Sequence, residues 1–399
     1  MSDDDHGLIL DTVDPAFPKR VHLVGVGGTG MGSFGGMLKA AGYEVTGSDE
    51  NVYPPMSDML AKWGIATLTP YAPGNLEAAK PDLVIIGNVI RRVNPEATAV
   101  RALRLPQMSF PAALGSLFLR QRHSVVVAGT HGKTTTASLM GHVLVSAGRD
   151  PGFLIGGVTK NSASNYRLGA GPYFVVEGDE YDTAYFDKGP KFLHYQPKTL
   201  ILTSVEFDHA DIYRDLRHYE AAFEKLVALV PPEGTIAVSN SWPNAVRLAN
   251  ASRARVITYG VDGALRATGV KLGPQGARFG VSLDGQALGE VLLPMAGAHN
   301  VENALGVMAA GLAVGLSFDE VKAGFASFEG VKRRQEVRGE PKGVLVIDDF
   351  AHHPTAVRET ISAIASRYPG RRLWAVFEPR SNTSRRNIHQ DEYAKRSEE

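Results

Sequence analysis

A glycine-rich loop that ends in a lysine and hydroxyl side chains is the strongest chemical signal in this 399-residue chain. The run from Gly129 to Thr136 follows an apolar segment, Ser124 to Ala128, that has the composition of a buried strand. In such a strand–loop–helix unit, backbone N–H groups face a phosphate, the lysine neutralises the β- and γ-oxygens, and the first threonine offers its hydroxyl to Mg²⁺. The loop therefore predicts binding of ATP and Mg²⁺. The residues assigned to ATP are Gly129, Thr130, His131, Gly132, Lys133, Thr134 and Thr135.

The spacing of this loop differs from the longest form of the phosphate-loop motif. That form would place a glycine where Val127 stands, so the chain carries the shorter Gly-Thr-x-Gly-Lys-Thr version. The alternative interpretation is a glycine-rich turn that only reverses the chain.

A second glycine loop, from Gly25 to Gly30, matches the pattern G-x-G-x-x-G. It follows an apolar strand, opens a helix at Met31, and precedes Asp49 at the end of the next strand. A diphosphate on a helix N-terminus can belong to NAD, FAD or a UDP-sugar. We favour a UDP-linked substrate and keep a dinucleotide and a purely structural turn as alternatives. The residues assigned here are Gly25, Gly27, Gly28, Thr29, Gly30, Met31 and Asp49.

Two acidic loops follow strands of the central region. Glu177 to Asp182 follows the strand Phe174 to Val176, and Glu206 to Asp211 follows Leu200 to Val205. Ligands of α/β proteins bind at the carboxyl edge of a parallel sheet, where such loops lie. Beside a phosphate loop, a carboxylate and an imidazole can hold Mg²⁺ that offsets phosphate charge. An acidic solvated loop with a surface histidine is the alternative.

Composition excludes several classes of protein. The 42 basic residues equal the 42 acidic ones, so no global charge favours nucleic acid or an anionic membrane. The absence of cysteine excludes disulfides and thiolate chemistry. The segment Met1 to Asp14 lacks the pattern of a secretion signal, and no apolar run reaches membrane-spanning length. We therefore expect a cytoplasmic protein that binds neither nucleic acid nor membrane, with an oligomeric state that the sequence does not define.

The elements that position these loops form three α/β units in series. We predict domains at 1–109, 110–330 and 331–399. The third segment is shorter than a usual domain of about 100 to 150 residues, so we expect it to be incomplete. We predict an antiparallel meander from Arg266 to Leu293. The other predicted elements are strands at Val21 to Val26, Tyr43 to Thr46, Leu83 to Ile86, Val125 to Val127, Phe174 to Val176, Leu200 to Leu202, Ile236 to Val238, Val344 to Ile347 and Leu373 to Phe377, and helices at Thr134 to Ala147, His218 to Leu229, Val301 to Val314 and Thr355 to Ser366.

The order of the motifs resembles the Mur ligases of peptidoglycan synthesis. The features that carry the resemblance are Gly129 to Thr135, Glu177, Asp208-His209, His299-Asn300 with Asn303, Arg333-Arg334 and Asp348-Asp349. The resemblance implies a Rossmann-like UDP-binding domain, a central P-loop ATPase domain and a partial Rossmann-like C-terminal domain. It also implies Lys133 and Arg334 on the phosphates, Thr134 and Glu177 on Mg²⁺, His209 on a second Mg²⁺, Asn300 and Asn303 near adenine, and Asp349 near the ribose. Lys133, Glu177, His209 and Arg334 are the expected catalytic residues.

Finer segments resemble the branch of the family that recycles peptide. They are Asn51 to Met56, Ile86 to Asn88, Lys191 to Tyr195, Glu206 to Asp211, Asp348 to Thr355 and Glu378 to Thr383, and Asn88 joins the UDP-sugar residues. This branch joins UDP-N-acetylmuramate, through an acyl phosphate, to L-Ala-γ-D-Glu-meso-diaminopimelate. The alternatives are addition of L-alanine to the same sugar, or an inactive nucleotide-binding fragment. Because Phe223-Glu224 stands where some Mur ligases carry a carboxylated lysine, we expect none here.

Overall fold

The computed structural model describes residues 6–379 and Tyr393. The chain divides into two compact units, each with parallel β-structure and helices, which confirms the predicted α/β class. The first unit contains Met1–Ser124, Pro151–Gly156 and Asn165–Gln196, and the second contains the rest. The segment Glu378 to Thr383 was quoted for its resemblance to one branch of the family. Its residues from Arg380 onward lie outside the described residues. Among the described residues, no helix combines the length and hydrophobicity needed to span a membrane.

The first unit is built on a five-stranded parallel sheet in the order β3-β2-β1-β4-β5. Leu23 and Ile85 of the central strands are fully buried, as expected where helices cover both faces of a parallel sheet. The strands are β1 (Arg20–Val24), β2 (Glu44–Ser48), β3 (Ala66–Leu68), β4 (Leu83–Ile86) and β5 (Gln107–Ser109), and the helices are α1 (Thr29–Ala40), α2 (Met56–Lys62), α3 (Pro73–Ala79), α4 (Pro95–Ala102) and α5 (Phe110–Leu114).

The chain then enters the second unit through β6 (His123–Ala128) and α6 (Lys133–Ser146) and returns to the first. In the returning segment, β7 pairs in parallel with β9 and antiparallel with β8, and β10 forms a hairpin with β11. These strands are β7 (Gly152–Leu154), β8 (Tyr166–Arg167), β9 (Tyr173–Gly178), β10 (Asp182–Ala184) and β11 (Asp187–Pro190). Of these five strands, the sequence analysis predicted only β9.

In the second unit, β6, β12, β13 and β14 run parallel, and β15, β16 and β17 continue as an antiparallel meander. The meander predicted between Arg266 and Leu293 is therefore confirmed. The further strands are β12 (Thr199–Leu202), β13 (Thr235–Ser239), β14 (Arg255–Tyr259), β15 (Leu265–Gly273), β16 (Gly276–Leu283) and β17 (Gln286–Leu293), and the helices are α7 (Leu216–Ala228), α8 (Pro243–Asn250), α9 (Ala298–Ala313) and α10 (Phe318–Ala326).

The described part of the last segment of the second unit contains a small hairpin and a helix. β18 (Glu336–Gly339) pairs antiparallel with β19 (Val346–Asp348), and α11 (Pro354–Arg367) follows. The strand predicted at Leu373 to Phe377 is wrong, because the residues have no strand conformation. Trp374 is 75% exposed and Val376 is 97% exposed. An apolar run becomes a strand only where a neighbouring strand takes up its N–H and C=O groups, and no described strand pairs with this run.

Candidate active site

The phosphate loop connects the end of β6 to the start of α6. Gly132 precedes the helix with φ of 78°, a left-handed conformation that favours glycine, and no side chain caps the helix. A helix that starts in this way after a glycine loop can bind an anion with its first N–H groups. The Lys133 Nζ donates a hydrogen bond of 2.6 Å to the Gly129 carbonyl, so the ammonium group is folded over the loop.

Side chains that follow β12 hold this loop in place. The His131 N–H donates to Ser204 Oγ at 2.9 Å, and Thr203 Oγ1 donates to the His131 carbonyl at 2.6 Å. Thr130 Oγ1 donates to the Glu206 carbonyl at 2.7 Å and accepts from the Glu206 N–H at 2.9 Å. These hydrogen bonds hold the loop at Thr130 and at His131. The loop backbone can therefore bind a phosphate with little further loss of conformational freedom.

A cavity of about 170 Å³ lies beside the loop in the second unit. It brings together residues that are far apart in sequence and that we assigned to ATP, although Gly129, Thr130, Lys133 and Thr134 do not line it. Its volume is below the roughly 300–1,000 Å³ of small-molecule sites, so a nucleotide would also occupy the surface next to it. The assigned residues on its wall are His131, Gly132, Thr135, Asn300, Asn303, Arg334 and Asp349.

The two asparagines of α9 are buried on the wall of this cavity. Asn300 Nδ2 donates to the Ala296 carbonyl at 2.7 Å, and Asn303 Nδ2 donates to Asn300 Oδ1 at 3.2 Å. A Cβ atom added at Gly132 would lie 2.5 Å from Asn303 Oδ1, so only glycine permits this close approach. The neighbouring His299 also lines the cavity, and burial lowers its pKa to about 4. The cavity therefore presents an uncharged imidazole and two amides at neutral pH.

Two assigned residues reach the cavity from the segment after residue 330. The Arg334 guanidinium donates to Thr134 Oγ1 at 3.0 Å, at the start of α6. Asp349 accepts backbone bonds from Gln335 and Ala351, both at 2.8 Å, so its carboxylate orders the loop around it. Asp349 is therefore held in place beside the cavity.

Three residues that the sequence analysis did not assign, Glu206, His353 and Thr355, form a cluster with His131 of the loop. His131 Nε2 is 2.5 Å from Glu206 Oε2, Thr355 Oγ1 donates to Glu206 Oε1 at 3.2 Å, and His353 Nδ1 is 3.8 Å from Glu206 Oε2. Burial would raise the pKa of the Glu206 carboxyl, but the His131 hydrogen bond and the charge of His353 lower it to about 2. The sequence offered two signals for this cluster. Glu206 stands in an acidic loop, and His353 directly precedes Pro354, the first residue of α11.

The three residues assigned to Mg²⁺ are divided between the two units. Thr134 and His209 belong to the second unit and Glu177 to the first. The Glu177 carboxylate accepts a hydrogen bond from the Gly156 N–H at 2.5 Å. His209 has φ of 52°, uncommon for a residue with a Cβ, and its N–H donates to Asp208 Oδ1 at 2.7 Å. Burial opposes ionisation of Asp208, yet the His209 charge lowers the pKa of that carboxyl.

The first unit carries the second glycine loop, between β1 and α1. The Gly27 N–H donates to Asp49 Oδ2 at 2.7 Å, and the Gly25 N–H donates to the Ser48 carbonyl at 2.9 Å. Gly28 precedes α1 without a side-chain cap, so this helix start is also open to an anion. Met31 is buried, whereas Asn88 is exposed after β4.

A buried carboxylate supports the strand that ends beside this loop. Glu96 and His22 are both fully buried, with Glu96 Oε2 3.5 Å from His22 Nε2. Ser48 and Asn75 also donate hydrogen bonds to Glu96. Burial alone would raise the pKa of this carboxyl, and these partners lower it. The sequence analysis did not single out Glu96, because a glutamate within a helix is usually on the surface.

Comparison with known proteins explains why both loops occur in one chain. Three consecutive domains of one family match: the Mur ligase family catalytic domain at residues 20–122, the Mur ligase middle domain at 127–311, and the Mur ligase glutamate ligase domain at 333–396. The chain belongs to the Mur ligase family. The members of this family are ATP-dependent ligases that form amide bonds. The family and fold expected from the sequence are thus confirmed.

Individual relatives of this Mur ligase carry informative names. It is 44% identical, over 94% of its length and 82% of the relative's, to the UDP-N-acetylmuramate–L-alanyl-γ-D-glutamyl-meso-2,6-diaminoheptanedioate ligase of Escherichia coli K12. A murein peptide ligase structure from Psychrobacter arcticus 273-4 matches with a TM-score of 0.78 and 36% identity, covering 94% of this chain and 82% of that one. The UDP-N-acetylmuramate–L-alanine ligase of Salinibacter ruber is 36% identical, over 94% of this chain and 77% of that protein.

Proposed function

We propose that this Mur ligase uses ATP to join the lactyl carboxylate of UDP-N-acetylmuramate to the amine of L-Ala-γ-D-Glu-meso-diaminopimelate. The observation that carries the proposal is the cavity lined by the phosphate loop, by Asn300 and Asn303, and by Arg334. The 44% identical relative from Escherichia coli, which is named for this reaction, supports the choice of substrates. The reaction returns recycled peptide to the nucleotide sugar.

The chemistry proceeds in two displacement steps. The lactyl carboxylate attacks the γ-phosphorus of ATP, and the bond between this phosphorus and the β,γ-bridging oxygen breaks. ADP departs, and the sugar carries an acyl phosphate. The peptide amine then adds to the acyl carbon, loses a proton, and the tetrahedral intermediate expels inorganic phosphate to give the amide. Charge accumulates on oxygen atoms in both steps, so the protein's main task is to position the reactants and neutralise charge.

The residues of the second unit fit ATP in distinct ways. Lys133 and Arg334 supply positive charge for the phosphates, and the N-terminus of α6 supplies N–H groups. Asn300 and Asn303 present amide groups that suit the edge of adenine, and the Asp349 carboxylate suits the ribose hydroxyls. Gly129, Thr130, His131, Gly132 and Thr135 complete the phosphate cradle.

The residues assigned to Mg²⁺ have side chains of the kinds that bind this ion. The Thr134 hydroxyl and the Glu177 carboxylate offer the oxygen atoms that Mg²⁺ prefers, and His209 offers an imidazole for a second ion. When bound, Mg²⁺ offsets the negative charge of the transferring phosphoryl group. Arg334 donates a hydrogen bond to the Thr134 hydroxyl, so its guanidinium group lies at the start of α6 beside a proposed Mg²⁺ ligand.

The second glycine loop, Gly25 to Gly30, suits the diphosphate of the UDP-sugar. Gly25, Gly27, Gly28, Thr29, Gly30 and Met31 place backbone N–H groups at the start of α1, Asp49 suits a ribose hydroxyl, and exposed Asn88 can reach the sugar. Because ATP and the nucleotide sugar are cytoplasmic metabolites, we place the enzyme in the cytoplasm. We assign it no nucleic-acid or membrane partner. The proposed domains remain 1–109, 110–330 and 331–399.

Addition of L-alanine to the same sugar is the second candidate. The relative from Salinibacter ruber, named for that reaction, supports it at 36% identity. The two candidates share both phosphate-binding loops and differ in the acceptor amine. The choice of acceptor therefore decides between them.

The test measures phosphate release from ATP with UDP-N-acetylmuramate and either the tripeptide or L-alanine. We expect release that depends on both the sugar and the tripeptide, with an amide product of the corresponding mass. Release that depends on L-alanine would overturn the tripeptide proposal and support the second candidate. Binding of both nucleotides without turnover in either reaction would instead support an inactive fragment.

A further inference from the structure

The Glu206 carboxylate contacts two parts of the second unit that are far apart in sequence. On one side it meets His131 of the phosphate loop at 2.5 Å. On the other it accepts a hydrogen bond of 3.2 Å from Thr355 Oγ1, and His353 Nδ1 lies 3.8 Å away. His353 and Thr355 are each 4% exposed, so this side of the contact excludes water.

The backbone of Glu206 is hydrogen-bonded to the phosphate loop. Its N–H and C=O both bond to Thr130 Oγ1, which fixes the residue to the loop. The carboxylate is thus held in one place. Its contacts to residues 353–355 are contacts to the start of α11, because His353 caps this helix and Pro354 is its first residue.

Two attractive interactions reach the carboxylate from the start of α11. Thr355 donates a hydrogen bond, and the N-terminus of this 14-residue helix carries partial positive charge. Hydrogen bonds to an ionised group are about twice as strong as those between neutral groups. The negative charge of Glu206 therefore stabilises α11 in its observed position.

That position also shapes the cavity. Ala356, Glu359, Thr360 and Arg367 of α11 line it, and His131 lines it from the loop side. If α11 moved away from Glu206, the cavity would lose this wall. A nucleotide that fills the cavity must favour the position of α11 in which the wall is present.

We infer that Glu206 is a positioning residue that couples nucleotide binding at the phosphate loop to docking of α11. The inference rests on the proposed use of ATP. Apparent affinity falls in proportion to the population of the competent state, so loss of the carboxylate raises the dissociation constant of ATP without removing any group that contacts it. The affinity for UDP-N-acetylmuramate stays unchanged, because its proposed residues belong to the first unit.

The experiment compares the full chain with three variants, Glu206→Gln, Thr355→Val and the double variant. Glu220→Gln is the control, because Glu220 is also a paired carboxylate of this unit, with Arg247 at 2.6 Å, and does not line the cavity. Calorimetry measures binding of the non-hydrolysable analogue AMP-PNP with Mg²⁺ and of UDP-N-acetylmuramate. Hydrogen exchange measures protection of residues 354–367 with and without the analogue.

We expect the single variants to weaken AMP-PNP binding about five- to tenfold, the magnitude of one intramolecular hydrogen bond, with UDP-N-acetylmuramate unaffected. The double variant should be little worse than either single one, because both act through one contact. Protection of α11 should fall in the variants and recover at saturating analogue. The Glu220→Gln variant should match the parent.

Several outcomes would overturn the inference. Parental affinity and protection in Glu206→Gln would remove the coupling, and equal weakening for both nucleotides would indicate a general structural defect. His131, Glu206 and His353 also bring donor atoms within 4.8 Å of one another, a spacing that a transition metal could use. If EDTA abolished α11 protection in the parent and Zn²⁺ restored it, a metal bridge would replace the direct contact. If the parent itself failed to bind AMP-PNP, the proposed function would fail instead.

Discussion

Arg334 donates a hydrogen bond of 3.0 Å to the hydroxyl of Thr134, although 200 residues separate them in the sequence. Thr134 is the second residue of α6, and Arg334 belongs to the segment that precedes β18. The bond places a guanidinium group at the helix start that we assign to phosphate and Mg²⁺. If Thr134 binds Mg²⁺ as proposed, the Arg334 guanidinium would be free to bind a phosphate oxygen.

Replacement of Arg334 by glutamine should therefore weaken the use of ATP. Removing one charge that stabilises phosphoryl transfer costs about 10²- to 10³-fold in kcat, and we expect kcat/KM for ATP to fall by at least the lower figure. Steady-state kinetics with varied ATP and Mg²⁺ provide the measurement. Arg338→Gln is the matched control, because the Arg338 side chain is 56% exposed and pairs with the nearby Glu336. Equal kinetics in the two variants would contradict the phosphate role.

Lys133→Ala should abolish ADP formation while leaving the affinity for UDP-N-acetylmuramate unchanged. The ammonium group lies over the phosphate loop, and its removal takes away a positive charge that would neutralise the transferring phosphoryl group. Coupled ADP detection and sugar binding by calorimetry test the two parts. Lys225→Ala, an exposed position on α7, should behave as the parent. Retained turnover in Lys133→Ala would count against the assignment of the loop.

Gly27→Ala should selectively damage the UDP-sugar site. The added Cβ would lie 2.8 Å from Asp49 Oδ2, so the carboxylate must move and lose its bond to the Gly27 N–H. We expect UDP-N-acetylmuramate to bind about tenfold more weakly, the equivalent of about 1.4 kcal/mol for one charged hydrogen bond. Gly74→Ala is the control, because a Cβ there meets nothing within 4 Å. Unaltered sugar affinity in Gly27→Ala would exclude the proposed role of Asp49.

Glu96→Ala should destabilise the first unit through its buried polar network. The change leaves Ser48 and Asn75 without their acceptor and His22 without its carboxylate, and breaking a buried pair costs about 3–5 kcal/mol. Urea unfolding monitored by circular dichroism measures the loss. Glu77→Ala, exposed on α3, should change the free energy of unfolding by less than about 0.5 kcal/mol. A loss as small as that in Glu96→Ala would show that the network contributes little.

Acid should remove the stability that Glu206 contributes. Its pKa is about 2 in the folded protein and about 4.3 for an unperturbed glutamate, so the contribution is complete above the unfolded value and is lost as the pH falls toward 2. The difference in unfolding free energy between the parent and Glu206→Gln should therefore be largest near pH 6 and shrink progressively below about pH 4.5. Urea titrations at several pH values measure it. A difference that stays constant down to about pH 3 would contradict the lowered pKa.

The sequence was sufficient to predict the parallel strands that carry the two loops. Strands such as β4 and β12 are continuous apolar runs because helices cover both faces of the sheet, and the loops that follow them contain the chemical residues. The predicted catalytic roles of Lys133, Glu177, His209 and Arg334 remain predictions, as do the domain boundaries. Local patterns identify a strand and its loop, and long-range contacts decide what the loop touches.

The parts that sequence reasoning missed depend on such contacts. Leu373 to Phe377 has the composition of a strand but pairs with no described strand. Glu206 was one carboxylate among several in an acidic loop, and its importance appears only when α11 brings Thr355 and His353 beside it. Glu96 has no local signature, because its partners His22, Ser48 and Asn75 come from three other elements.

The composition of the cavity wall has a consequence for inhibitor discovery. The wall includes residues from the phosphate loop, from the segment 294–303 and from the segment 329–367, so a compound that fits the cavity would contact all three segments and stabilise their packing. Such a compound would bind poorly to a chain shortened before residue 329. Screening should therefore use the whole chain, and resistance substitutions are expected in α11 as well as in the phosphate loop.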